Sequence, residues 1–258
     1  MSREPHADAE ANADPDRTHR RSGLRGQSHV VGVALLIGLT MVSLGALTAT
    51  VGTVVDSNAA VADVDRVATD LDDAVRRVEG AGTHAGHVTF TDGTLRVETR
   101  TIRVFHGDDL VASRETDALV YERGEYGVTA VGGAVIRNHA GSRSVASDPA
   151  VSASEDVVVL GIVDLAVEPQ SVGGSGAATY SLVSEVRHER IVEDREGEWS
   201  IAIETPTPEP WVRAFEDAGG TVETGRFEGD DRRSVVATFE GERTGHVVVH
   251  RIDTEVRG

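Results

Sequence analysis

The hydrophobic and polar positions divide the chain into four stretches. Residues 1–16 mix Ala, Asp, Glu, Asn and Pro with no apolar face to bury, which predicts a disordered tail. From Val30 to Val55 there are 26 residues without an ionisable side chain. A helix needs about 20 apolar residues to cross a bilayer, so this run is long enough. After Asp56 the pattern turns amphipathic. Val61, Val64, Val67, Ala68, Leu71, Ala74, Val75 and Val78 recur at helical spacing, with Asp63, Asp65, Asp70, Asp72, Asp73, Arg76 and Arg77 between them. No Pro interrupts the stripe, and Gly80 and Gly82 supply a stop. One helix from about Ser28 to Glu79 is predicted, about 75 Å long at about 1.5 Å per residue.

Beyond Gly82 the period moves towards two. Strands are predicted at 87–90, 94–105, 110–112, 118–122 and 126–138, with Asp92-Gly93 as the turn of a hairpin joining the first two. The run Val157–Val167 is apolar without alternation but for Asp164, as a strand buried on both faces would be. Further strands are read at 180–192, 199–204, 235–239 and 246–256. A short helix is predicted from Thr207 to Ala218: Pro208 and Pro210 start it, Trp211, Ala214 and Phe215 form its apolar face, and Gly219-Gly220 end it. Pro169–Ala178 reads as a loop.

The expected fold class is α+β: a long N-terminal transmembrane and amphipathic helix, then an antiparallel β-rich, sandwich-like outer domain. The expected divisions are residues 1–26 as a leader, 27–82 as the long helix (membrane-spanning 30–55, amphipathic 57–79) and 83–258 as the β-rich head.

Charge adds a direction. The chain carries 43 Asp and Glu against 25 basic residues, all Arg, for a net charge of -18. Residues 1–26 sum to zero, so the acidity belongs to the remainder. Arg17, Arg20, Arg21 and Arg25 precede the apolar run, and Asp56, Asp63 and Asp65 follow it. The positive-inside rule then predicts a cytoplasmic N-terminus and an extracellular C-terminal domain. Strong acidity argues against nucleic acid as a partner. The Lys-free composition is similar to that of proteins from extreme halophiles, where concentrated salt screens self-repulsion. There is no Cys, which excludes disulfides, thiolate metal sites and a Cys nucleophile.

Gly38, Gly45 and Gly52 recur every seven residues on a nearly constant helix face, and Gly45, Ala49 and Thr53 form a small-xxx-small ladder. Small residues let helix backbones approach closely in lipid, so Gly38, Gly45, Ala49 and Gly52 are the candidate packing face.

Arg25-Gly26-Gln27-Ser28, followed directly by a long apolar helix, resembles the class III signal peptide of archaeal type IV pilins and archaellins. Ser28-His29-Val30-Val31-Gly32-Val33 is similar to the Ser-Pro-Val-Ile-Gly-Val opening of haloarchaeal pilin-like proteins, with His29 in place of Pro. The resemblance covers roughly residues 17–79. It implies cleavage by a prepilin peptidase between Gly26 and Gln27, leaving 232 residues. It also implies the membrane, the pilus-assembly machinery and other pilin-like subunits as partners, and a β-rich head after the helix. Val31 stands where bacterial pilins often carry Glu. Both a filament subunit and a pilin-like membrane protein that never polymerises fit the resemblance. A competing export signal is present: Arg20-Arg21-Ser22-Gly23-Leu24-Arg25 partly resembles a twin-arginine motif, with Ala60-Val61-Ala62 as a small-residue cleavage site. Its apolar core is far longer than the about 7–15 residues of a cleaved signal.

No catalytic, cofactor or metal site is expected. His84 and His87 lie three apart, and His246 and His250 share a strand face at about 13 Å, too far to hold one ion. Glu228-Gly229-Asp230-Asp231 reads as a solvated hairpin tip without calcium-loop spacing. No phosphate loop or dinucleotide fingerprint occurs. Two functions remain: a cell-surface structural subunit assembling through its helix, or a single-span anchored binding or sensing protein.

Overall fold

A computed structural model describes residues 24–76, 80–168 and 176–258. The expected N-terminal tail lies outside the described residues. The chain is α+β, with one long apolar N-terminal helix and a large, mainly antiparallel sheet.

Helix α1 spans Leu24–Arg76. The chain divides between Asp56 and Ser57 into two units, so α1 gives its apolar part to the first and residues 57–76 to the second. That division falls where the pattern changes from uniformly apolar to striped.

The second unit carries strands β1 (Gly82–Phe90), β2 (Thr94–His106), β3 (Asp109–Arg123), β4 (Tyr126–Val131), β5 (Ala134–His139) and β6 (Ser142–Ser147). There follow β7 (Val151–Ala153), β8 (Val157–Glu168), β9 (Ala178–Glu204), helix α2 (Pro208–Asp217), β10 (Thr221–Gly225) and β11 (Ser234–Arg257). The eleven strands among the described residues share one sheet, in the order β6-β5-β4-β3-β2-β9-β11-β8-β7, with β1 added on β9 and β10 on β11. Every pairing is antiparallel except that of β8 with β11.

Several strands differ from the sequence expectation. The segment 126–138 is two strands, because Gly132 and Gly133 take φ of +58° and +82° and turn the chain in two residues. A Cβ at Gly132 would also lie 2.8 Å from Ile203 Cδ1. Segments 110–112 and 118–122 are one strand, β3, whose polar middle does not break it. The expected β1–β2 hairpin does not form. Asp92-Gly93 does turn the chain, but β1 pairs with β9 and β2 with β3. Tyr121 holds that corner, its hydroxyl donating to the Asp92 carbonyl at 2.6 Å. Burial, followed by the Asp63 charge, pushes the Tyr121 phenol up to about 12.

The polar middle of β3 has a structural use. Thr116 is buried; its Oγ1 donates to the Val163 carbonyl at 3.1 Å and accepts from the Leu165 N–H at 3.0 Å. Asp117 accepts from the Val167 N–H at 2.9 Å. Side chains of β3 thus occupy backbone groups of β8, a strand it does not pair with in the sheet. Thr116→Val keeps the shape and leaves a buried N–H and C=O unpaired. A loss of about 2 kcal/mol is expected in denaturant unfolding of the full chain followed by Trp fluorescence.

Two apolar clusters fill the unit. One gathers Trp199, Ile201, Ile203, Phe239, Val247 and Val249 under α2, which contributes Trp211 and Phe215. The other gathers Val64, Val67, Ala68 and Leu71 of α1 against Phe90, Leu95, Tyr121, Leu165 and Ile252. Strand β8 runs between them. Val158, Leu160 and Ile162 enter the first cluster, while Val163, Leu165 and Val167 enter the second. That is why its sequence is apolar on both faces, as expected for burial on both sides, with Asp164 the one acid between Val157 and Val167. Helix α2 follows its expected pattern, with Trp211, Ala214 and Phe215 buried.

Candidate functional site: the apolar helix and its anchorage

The apolar half of α1 presents its side chains outward on every side. Val30, Leu35, Leu39, Met41, Val42, Leu44 and Leu47 are each more than 60% exposed. This is the one helix among the described residues long and apolar enough to cross a membrane, and its apolar window has no buried residue. By length and composition it suits a membrane anchor or a signal sequence.

Its threonine hydroxyls are internally satisfied. Thr48 Oγ1 donates to the Leu44 carbonyl at 2.9 Å and Thr50 Oγ1 to the Ala46 carbonyl at 2.9 Å. Thr40 and Thr53 bond the carbonyls three residues back, each at 2.8 Å. A Thr that bonds its own preceding turn asks nothing of its surroundings, which hydrocarbon requires. At Gly38, Gly45 and Gly52 an added Cβ would meet nothing within 4 Å, so the space beside each is open to another molecule. Ala49 is exposed between them.

The backbone of Arg25, Gly26 and Gln27 lies within α1. Arg17, Arg20 and Arg21, the other expected topology residues, lie outside the described residues.

Residues 57–76 are fastened to the sheet by carboxylates as well as by their apolar stripe. Asp63, only 1% exposed, accepts from the Thr91 N–H at 3.1 Å and the Thr91 hydroxyl at 2.6 Å. It also receives Arg123 Nη1 at 2.7 Å and Arg66 Nη1 at 3.2 Å. Two helical turns on, Asp70 accepts the Thr89 N–H at 3.0 Å. Asp65 lies 3.6 Å from Arg137 on β5. The sequence spacing places these acids between the apolar positions and gives them no partner. The signal it passed over is phase: Asp63 stands three residues after Ala60 and next to Val64, inside the buried stripe.

The histidines separate. His84 and His87 both lie on β1, where side chains three apart point to opposite faces, so they do not face together. His246 approaches Asp194 at 3.7 Å. His250 faces His188 directly across β9 and β11, with their Nδ1 atoms 2.9 Å apart. One of those nitrogens donates and the other accepts. Burial, and then the His188 charge, hold His250 below the ordinary imidazole range. Among the described residues no three His, Asp or Glu side chains form a metal-binding group.

The segment around Glu228–Asp231 is a turn between β10 and β11, but Asp230 is not solvated. It takes a two-pronged bond from Arg103, at 2.9 and 2.6 Å, and Arg103 stacks on the Phe227 ring at 4.6 Å. A second ionic cluster surrounds Arg100, which is 2% exposed and bonds Glu98 and the Thr99 carbonyl. Burial raises the Glu98 carboxyl, but its bonds to Arg100 and Arg96 outweigh this and hold it below the usual range. Both clusters are closed on themselves and read as structural.

The chain belongs to a family of unknown function (DUF7289), which matches residues 25–255. No curated protein and no solved structure matches it.

Proposed function

We propose that this protein is a pilin-like cell-surface structural subunit that assembles through the apolar half of α1 and performs no catalysis. The observation that carries this reading is a helix of two characters. One half is apolar, exposed all round, internally satisfied in its threonine hydroxyls and open beside its glycines. The other half is locked onto a β domain by buried side chains and Asp63. In the proposed assembly the first half leaves lipid and packs on other copies at Gly38, Gly45, Ala49 and Gly52, while the acidic β domain faces salty medium. Arg17, Arg20, Arg21 and Arg25 hold the N-terminus in the cytoplasm. The family match begins at Arg25, next to Gly26 and Gln27, which supports treating the preceding residues as a removable leader for a prepilin peptidase.

Intact mass of the protein from membranes and from sheared surface material tests this. A mature chain beginning at Gln27 is expected in both fractions. A start at Met1 or Ser2 overturns the reading in favour of a single-span anchored binding protein, and a start near Asp63 favours ordinary export. Gly45→Leu is expected to leave membrane insertion intact and to abolish the sheared fraction, because Leu fills the close-approach face. Undiminished filaments from that variant count against the packing face.

A further inference from the structure

His188 of β9 and His250 of β11 stand directly opposite one another, with their Nδ1 atoms 2.9 Å apart and their ring planes at 79°. The register puts them on the sheet face of Val186 and Ile252, which pack in the cluster formed with residues 57–76 of α1. Arg187, Glu189 and Arg251 alternate onto the opposite face. We propose that His188 and His250 form a two-nitrogen site for a transition-metal ion, Cu²⁺ being the best fit, with water in the remaining positions.

The separation of the nitrogens selects the geometry. Ligands about 2.05 Å from one ion and at right angles stand about 2.9 Å apart, whereas tetrahedral ligands at that distance stand about 3.3 Å apart. The pair therefore matches two neighbouring corners of a square-planar or tetragonal site, the geometry of Cu²⁺ and Ni²⁺ with nitrogen and oxygen ligands. In affinity for such sites Cu²⁺ stands above both Ni²⁺ and Zn²⁺. The hydrogen between the rings moves within its own ring. It leaves Nδ1 for Nε2, so that after a small turn of each ring both Nδ1 lone pairs meet the ion and no net proton is released.

The neighbours place one ring and leave the other accessible. On β8, Val163 is the register partner of His250 and Gly161 that of Val248, so both lie on the face of the pair. A Cβ on Gly161 would come 3.3 Å from His250 Nε2. The His250 ring thus lies with its Nε2 edge against a glycine of β8 and its Nδ1 towards β9. His250 is half-buried and His188 exposed, which gives one positioned ligand and one that can adjust. Among the described residues no third His, Asp or Glu side chain completes a protein-only metal group with them, so water supplies the other ligands. Arg190, two residues along β9 on the same face, is the nearest like charge by register, and it is exposed. Against it stands a net charge of -18, which raises the concentration of cations around the chain. A bound ion would tie β9 to β11 just after the register shifts between Gly245 and Val248.

The test is calorimetric titration of Cu²⁺ into the full chain in detergent micelles, in a non-chelating buffer at about pH 7.5, where an ordinary imidazole is neutral. One saturable equivalent is expected, with Ni²⁺ and Zn²⁺ bound more weakly. Electron paramagnetic resonance should show a tetragonal Cu²⁺ spectrum with nitrogen ligands, and Cu²⁺ should raise the thermal unfolding midpoint. His188→Gln and His250→Gln are each expected to weaken that equivalent at least about tenfold, the scale on which even the outer partners of a metal ligand act. Both should also lose the midpoint shift. His246→Gln, on the same strand beside Asp194, should keep both. Should His250→Gln disturb the fold by near-UV circular dichroism, the exposed His188→Gln decides the matter. Absence of a saturable equivalent, unchanged Cu²⁺ affinity in folded His188→Gln, or tighter binding of Zn²⁺ than of Cu²⁺ would overturn the proposal. Each outcome is a difference between parent and variant chains, so none depends on where the mature chain begins or on whether copies assemble.

Discussion

Asp63→Ala is expected to destabilise the β domain by about 3–5 kcal/mol, the cost of removing one member of a buried, hydrogen-bonded charge pair. Asp63 is 1% exposed and receives four donors from three residues, two of them on strands or turns distant in sequence. Without it, the Arg123 guanidinium, with its side chain only 16% exposed, keeps its charge and loses its closest counter-ion. The Thr91 N–H and hydroxyl lose their acceptor in the same change. Denaturant unfolding of the full chain, followed by the fluorescence of Trp199 and Trp211, measures the loss. Hydrogen exchange adds a local readout, because residues 57–76 should lose protection before the sheet does. Asp63→Asn keeps the shape and part of the bonding, so it should cost less than the Ala variant. The Arg123→Ala double-mutant cycle should return a coupling well above 1 kcal/mol, as expected for partners in one buried network. A loss below about 1 kcal/mol for Asp63→Ala would mean that α1 is held by its apolar stripe alone.

Gly245→Ala is expected to cost about 3 kcal/mol, although a single methyl is added and the backbone there permits any residue. The added Cβ would lie 2.1 Å from Trp199 Cε2 and 2.3 Å from its Nε1. Trp199 is fully buried, so its ring has no free direction in which to move. On its other side the indole meets the His106 ring edge-on, with centroids 4.8 Å apart, and His106 in turn sits where a Cβ on Gly197 would lie. The stack Gly245–Trp199–His106–Gly197 is filled from end to end. Relief would have to come from shifting β9 against β11, which pair along much of their length. Thermal unfolding of the full chain should show a clearly lowered midpoint, and near-UV circular dichroism should show an altered Trp199 environment. An unchanged midpoint would show that the strands slide at the nearby register shifts and absorb the methyl.

The helices were legible in the sequence because their signals are local. The stripe from Val61 to Leu71 and the set Trp211, Ala214 and Phe215 each report a buried face through spacing within a few turns. Strands were legible as segments but not as partners. Asp92-Gly93 has the chemistry of a tight turn, yet β1 turns away from β2 because Val88 and Phe90 bury against α1 and because β9 offers the pairing edge. The polar stretch from Ser113 to Asp117 looked like a break in β3, since its hydroxyl and carboxylate serve β8, some 47 to 50 residues later. Bends and bulges hid the continuity of β9 and β11, whose two halves each had been readable as a separate strand. The His188–His250 pair left no local trace, for its members come from β9 and β11, 62 residues apart.

By itself the sequence determined one long helix, uncharged and membrane-compatible in its first half and striped in its second, with an acidic, β-rich domain behind it. Those properties follow from composition and period, which act residue by residue through hydration and backbone geometry. The tertiary structure alone decided that Asp63 is an anchor, that β8 divides two cores, and that His188 meets His250 across two strands. Those outcomes depend on which distant segments share a buried boundary. There the cost of leaving a charge or a backbone group unpaired selects the partner, and nothing in the local sequence carries that cost.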